Sequence, residues 1–363
     1  MMVMRRPYKV VYIDDEPGDW TTRRIQESLH RPGQLECELK RPPKNIVDAA
    51  QDLPDALLVD FDLSTQPLES ESLDYVSYYG STLAAEVRIR QPSCPIILVT
   101  KKERIEGYSH FLKESIDFDL ILFKDEIIQN PDGMWAQVET LIVGFQALDA
   151  VNDQEWQAVL SLMGARVDQA RLLREAAPPV TNRKWNVPQT AHWIRNTVMK
   201  YPGILYDDLT AATRLGISLD AFQTPQAQEL LQGACYAGIF DGHQRYWWRD
   251  ALFTSASRLA VKHNLRGSIT QTFGQSFQLE TGLALDPAIC VYDGTPIADW
   301  VCYILQKPVK QANSVPYYPE ERPPVMDQAR VSFRAIEEEE RFDEMLVDAD
   351  SLAIVHQLWG VKG

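Results

Sequence analysis

"KVVYIDDEP", residues 9–17, carries an apolar run straight into three consecutive acids, Asp14, Asp15 and Glu16. The run over 8–14 has the length and composition of a buried strand. Bunched carboxylates repel one another, so the arrangement calls for a cation, a partner, or a solvated turn in which an Asp caps the next helix. Outward from this stretch the pattern repeats. "DALLVDFDLS" (55–64) is a second apolar run ending in acids, "CPIILVT" (94–100) a third buried strand and "DFDLILFKDE" (117–126) a fourth. Residues 20–30, 80–90 and 134–148 are spaced as helices, with Leu83, Val87 and Arg90 along one side of the middle one. Continuous apolar strands alternating with helices predict an α/β architecture, a doubly wound parallel sheet covered on both faces.

In such a sheet, ligands bind outside the carboxyl ends of the strands. The four runs end in Asp14 and Asp15, Asp60, Thr100 and Lys124. Three carboxylates, a hydroxyl and an ammonium at one edge suit a hard divalent cation and a phosphoryl group. "VVYIDDEP", "LLVDFDLS", "IILVT" and "LFK", in that order, resemble the receiver domain of two-component response regulators over about residues 8–150. The resemblance implies a five-stranded, flavodoxin-like fold and a mechanism. Asp60 would be the phosphoacceptor, taking a phosphoryl group from a histidine kinase or phosphotransfer protein to form an acyl phosphate. Asp14, Asp15 and Asp60, with the backbone carbonyl of Asp62, would hold Mg2+, while Thr100 and Lys124 would meet phosphoryl oxygens. The sequence departs from the family in three places. Asp125 follows Lys124 where receivers carry proline. Ile121 stands where they carry a switch aromatic, with Phe123 beside the lysine instead. The loop after Asp60 is longer than usual and holds Glu69, Glu71, Asp74 and three tyrosines.

At 363 residues the chain exceeds one ordinary domain. Its net charge of −15 is unevenly spread: residues 1–150 hold 16 basic against 26 acidic residues, 151–310 hold 15 against 14, and 311–363 hold 5 against 11. The acidic balance disfavours nonspecific nucleic-acid binding, and only the near-neutral middle is suited to a phosphate backbone. Five scattered cysteines contain no CxxC pair. No stretch approaches the roughly 20 apolar residues that span a bilayer, and the first apolar run is too short for a signal peptide. These features predict a protein of the reducing cytoplasm with no membrane contact, and the resemblance implies a bacterial one.

Beyond a receiver-like domain at 1–150, the expected divisions are a connecting helix at 151–180, a winged-helix-like module at 181–255 and an α+β region of no recognised type at 256–363. "NDQEWQAVLSLMGARVDQARLLREA" (152–176) sets Trp156, Leu160, Met163, Val167 and Ala170 on one helical seam, either a homodimer contact or a helix packed on its own domain. Three helices and a hairpin over 190–250, the hairpin from "DGHQRYWWRDAL", resemble a winged helix by pattern alone. Its third helix has no Lys or Arg, which DNA readers place at phosphates and guanines. Arg245, Trp247, Trp248 and Arg249 are the candidate partner-contact residues, with core packing of a tryptophan as the plain alternative. "ITQTFGQSFQLETG" lacks the GxxxxGK[ST] of a phosphate cradle, and no HExxH or Ser/His/Asp order is visible, so nothing argues for catalysis. The expected function is that of a response-regulator-like signalling protein, with phosphorylation of Asp60 controlling a non-enzymatic protein-interaction output. Two rivals stand beside it: a DNA-binding transcriptional regulator, and a pseudo-receiver adaptor subunit of a bacterial stress or defence assembly.

Overall fold

The computed structural model describes residues 6–44, 46, 54–64, 79–102, 118–151, 156–177, 186–242, 244–319, 322–338 and 342–360. The chain forms two compact units, residues 1–162 with 180–192 and residues 163–179 with 193–363.

In the first unit the predicted alternation is present. β1 (Tyr8–Ile13), α1 (Trp20–Leu29), β2 (Leu35–Lys40), β3 (Ala56–Asp60), α2 (Gly80–Arg90), β4 (Ile96–Thr100) and β5 (Leu120–Phe123) come first. A short α3 (Lys124–Gln129) and a long α4 (Pro131–Asp149) follow. Every strand pair is parallel and the order is β2-β1-β3-β4-β5, the flavodoxin-like order. β3 and β4 are buried at every residue, as central strands covered on both faces must be. The fifth strand, β2, has no continuous apolar run. In "LECELK" Leu35 and Cys37 are buried while Glu36 and Glu38 are exposed, the alternation of an edge with one dry face.

Asp19 is the N-cap of α1, its carboxylate accepting from the backbone N–H groups of Thr21 (2.8 Å) and Thr22 (3.3 Å). Capping therefore does not account for the acids at 14–16. Register does place them. Ile13 lies opposite Val59, Asp60 opposite Val99 and Thr100 opposite Phe123, so Asp14, Asp60, Thr100 and Lys124 fall on one edge. Helix α2 begins hard against that edge. A Cβ at Gly80 would sit 2.3 Å from the carbonyl oxygen of Asp60, so the helix can start there only on glycine. Of the long loop after Asp60, the acids and two of the tyrosines lie outside the described residues. Tyr79 is half exposed and packs on Phe61 with ring centroids 5.9 Å apart.

The single helix expected over 152–176 is two helices, α5 (Trp156–Leu162) and α6 (Val167–Ala176). Gly164, at φ +65°, turns the chain between them. Val167 is 87% exposed, whereas α6 buries Gln169, Leu173 and Ala176. The seam was expected on one continuous helix, and that helix is broken at Gly164.

α7 (Val187–Trp193) runs on as a π-helical turn over Ile194–Met199. β6 (Leu205–Asp207), α8 (Asp208–Arg214), α9 (Leu219–Phe222), α10 (Pro225–Leu231), β7 (Tyr246–Trp248), α11 (Arg249–Lys262) and α12 (Ile269–Thr281) come next. β7 pairs antiparallel with β6, Trp247 opposite Tyr206, and bridges to Cys235 on its other side. The hairpin thus closes between 235 and 247, not within 241–252, because Arg249 already opens α11. The expected boundary at 255/256 falls inside that helix. Tyr206, Phe222, Trp247, Phe273 and Phe277 share one core. A second core gathers Cys290, Cys302, Tyr317, Val331, Ile336 and Val355. Around it are β8 (Trp300–Val301), β9 (Pro308–Val309), β10 (Ser314–Pro316), β11 (Arg330–Ser332), α13 (Phe333–Glu338) and α14 (Ala349–Leu358). Among the described residues no helix is long and apolar enough to cross a membrane.

Candidate functional site

Asp14 leaves β1, Asp60 ends β3, Thr100 ends β4 and Lys124 opens α3 directly after β5. All four are buried, with 1, 5, 0 and 8% of their surface exposed. Lys124 Nζ lies 3.1 Å from Asp14 Oδ2 and 3.1 Å from Asp60 Oδ1. One oxygen from each of Asp14, Asp15 and Asp60 lies within 4.8 Å of the others. Residues separated by more than a hundred positions thus meet in one place.

The electrostatics of the group follow from burial and like charge. Asp15 is half buried; desolvation, then the neighbouring Asp14, Asp60 and Glu16, push its carboxyl up to about 6. Burial alone would pull Lys124 down, but Asp60 and Asp14 outweigh it and raise its pKa. The folded-state value for Asp15 lies above the ordinary 3.8. In that interval the folded chain keeps a proton the unfolded chain has released, so rising pH erodes stability. In metal-free buffer, Asp15→Asn is expected to gain stability over the wild type as the pH climbs from about 4 to about 7. Urea denaturation in EDTA across that range checks it, and a gap that stays constant would contradict it.

Tyr12 is a member of the site that periodicity did not flag. It is fully buried in β1, and its hydroxyl donates to Asp14 Oδ2 at 2.7 Å. Burial, then Asp14 and Asp60, hold its proton well above the ordinary tyrosine range. The other Asp14 oxygen accepts from the backbone N–H of Glu16 at 2.9 Å. A tyrosine inside an apolar strand resembles core, yet residues two apart on a strand share a face, which places Tyr12 beside Asp14.

The Thr100 hydroxyl is buried and has no hydrogen-bond partner among the described residues. Asp62 turns its carboxylate onto Ser64, accepting from the backbone N–H at 3.0 Å and the hydroxyl at 2.5 Å. That side chain stands outside the three-carboxylate group. An all-oxygen donor set with an orphaned hydroxyl nearby fits a hard cation such as Mg2+ better than a thiolate- or imidazole-seeking metal.

The expected partner-contact residues separate. Trp247 and Trp248 are 1% and 5% exposed. Trp247 Nε1 donates to Asp208 Oδ1 at 2.7 Å, and Trp248 meets the ring of Tyr236 edge-on at 5.5 Å. With β7 paired on both sides, neither indole has a face left for a partner, which corrects that expectation. Arg249 pairs with Asp250 at 3.1 Å and stands 3.9 Å from Asp327. Arg245 alone of the four is exposed, bonded to Gln228.

No protein-family model and no curated protein matches the chain. Solved structures match part of it. A CheY-like response regulator receiver domain protein from Methanospirillum hungatei JF-1 is 14% identical, with 39% of this chain and 97% of that chain covered at a TM-score of 0.28. The likeness is to receiver domains. The receiver domain of RcsB from Salmonella enterica serovar Typhimurium is 19% identical, over 37% of this chain and 89% of that one, at a TM-score of 0.27. TrrA from Thermotoga maritima, solved with Mg2+ and a beryllium fluoride, is 22% identical over 37% and 98%, at a TM-score of 0.25. These matches leave more than half of the chain uncovered, and the strand order and register of the first unit fix its fold without them.

Proposed function

We propose that the first unit accepts a phosphoryl group on Asp60 with Mg2+ bound, and that this charge controls a non-enzymatic protein-interaction output in the second. The observation that carries the proposal is the group itself: three carboxylates within 4.8 Å, of which the buried pair Asp14 and Asp60 is joined by the Lys124 ammonium and Asp15 is half buried. A structural ion pair needs one acid per base; three carboxylates around one ammonium suit a further cation. Asp14, Asp15 and Asp60 would hold the metal, with the Asp62 carbonyl as a further oxygen. Bound Mg2+ supplies positive charge against the phosphoryl oxygens. An Asp60 oxygen forms the new P–O bond as the P–N bond to the donor's phosphohistidine breaks. Lys124 moves its ion pair from Asp60 to a phosphoryl oxygen, and the Thr100 hydroxyl gains the acceptor it lacks. Tyr12 holds Asp14 in position. Incubation with phosphoramidate and Mg2+, followed by intact-mass measurement, is expected to show one added phosphoryl group on the wild type and none on Asp60→Asn. An unmodified wild type would instead support the pseudo-receiver adaptor.

Within the second unit, β6, α8, α9 and α10 followed by antiparallel pairing about β7 support a winged-helix-like reading, which keeps the DNA-binding regulator as a second reading. Helix α10, "PQAQELL", carries no Lys or Arg, so a protein output is better supported. Salt-dependent binding of duplex DNA that weakens on Arg245→Ala would reverse that preference.

A further inference from the structure

The second unit holds a cavity of about 150 Å3 lined by Tyr201, Arg214, Trp300, Tyr303, Arg322 and Asp327. This is enough to enclose one ring or one compact polar group, with the rest of any larger ligand left outside. The wall is built from cations set on aromatic faces. The Arg214 guanidinium lies 3.7 Å from the Trp300 ring centroid, and Arg322 sits 4.7 Å from Tyr201 and 5.7 Å from Tyr303. Such stacking fixes a guanidinium in place while leaving its N–H groups free to point elsewhere.

The acids of the wall are already engaged. Asp327 Oδ2 accepts from the Tyr206 hydroxyl at 2.9 Å and from Arg214, and Arg249 stands 3.9 Å from its other oxygen. Asp207 accepts from the backbone N–H of Thr210 at 2.6 Å, capping α8. Arg322 differs. It donates from Nη1 to the Asp327 carbonyl at 3.1 Å, but its Nε is buried with no acceptor among the described residues. A buried charged donor without an acceptor is a standing penalty that an anionic oxygen would relieve. Lys200 also lines the cavity, and Arg330 stands 5.6 Å from the Trp300 ring, so the surplus charge is positive in a chain whose net charge is −15.

We propose that this cavity binds the phosphate group of a small ligand, with Arg322 as the primary contact. A tetrahedral oxyanion matches the cavity's size and balances the cationic wall, and a turn of the Arg322 guanidinium would bring its unspent Nε–H to it in a charge-assisted bond. Tyr303, 38% exposed, lies at the cavity with its ring against Arg322 and Tyr317. Every residue that lines the cavity belongs to the second unit.

Calorimetric titration of the full chain with inorganic phosphate, glycerol 3-phosphate and AMP tests it. All three are expected to bind. AMP binding tighter than glycerol 3-phosphate assigns an aromatic ligand; equal affinities assign recognition of the phosphate alone. Arg322→Gln is expected to weaken every probe by roughly tenfold or more. If that variant fails to melt cooperatively, Arg322→Lys carries the test, because it keeps the charge and loses the planar fork. Absence of saturable binding below about 1 mM for all three probes on the wild type overturns the proposal. Undiminished affinity in a folded Arg322 variant does so as well.

Discussion

Replacing Lys124 with methionine lowers the stability of the metal-free first unit by about 3–5 kcal/mol, the scale for breaking a buried ion pair from one side. The ammonium stands 3.1 Å from oxygens of both Asp14 and Asp60, whose side chains are 2% and 8% exposed. Methionine fills similar volume, so packing changes little and the loss is electrostatic. Asp14 and Asp60 are left facing each other and Asp15 in a medium that screens them poorly. Because the carboxylates raise the Lys124 pKa above its ordinary 10.5, its contribution is complete at neutral pH and disappears only as the pH rises through the still higher folded-state value. Added Mg2+ is expected to recover most of the lost stability in Lys124→Met, since it supplies the missing positive charge at the same oxygens. Urea denaturation with EDTA or with Mg2+ reads both effects. A variant as stable as the wild type in EDTA would mean that the carboxylates are not ionised together, and the metal site would fall with that result.

The candidate site, Tyr12 apart, was legible because Asp14, Asp60, Thr100 and Lys124 each end or follow a continuous apolar run. Val10 to Ile13, Leu57 to Val59 and Ile96 to Val99 can be buried on both faces only as central parallel strands. Once those strands are parallel, the first polar residue after each must sit at a common edge. β2 escaped because a half-buried edge strand alternates Glu with Leu and Cys, a pattern weaker than an unbroken run. The second unit escaped for a different reason. Its described strands are two or three residues long, and β6 pairs with β7 across three intervening helices. No local window holds that signal. The break at Gly164 shows the converse: a heptad-like spacing continued through 152–176, but one left-handed residue was enough to end the helix. The tryptophans at 247 and 248 could not be sorted into core or contact from their neighbours in sequence, because pairing on both sides of β7 decides it.

Trp247→Ala is the second large loss, about 3–5 kcal/mol from the unit that carries it. The indole is 1% exposed and meets Phe222 edge-on with centroids 5.1 Å apart. Alanine removes that contact, opens a cavity beside Tyr206 and Phe273 in the same core, and leaves Asp208 Oδ1 without its donor. Trp247→Phe separates the parts: most of the apolar volume stays and the hydrogen bond goes, so the expected loss is about 1 kcal/mol. Arg245→Ala, on the exposed side of the same segment, is expected to change stability by less than about 0.5 kcal/mol. Urea denaturation followed by near-ultraviolet circular dichroism orders the three variants. Were Trp247→Ala to unfold at the wild-type midpoint, the indole would be dispensable to the core. The interior assigned to β6, β7 and α9 would then be wrong, and a contact role for the tryptophan would return.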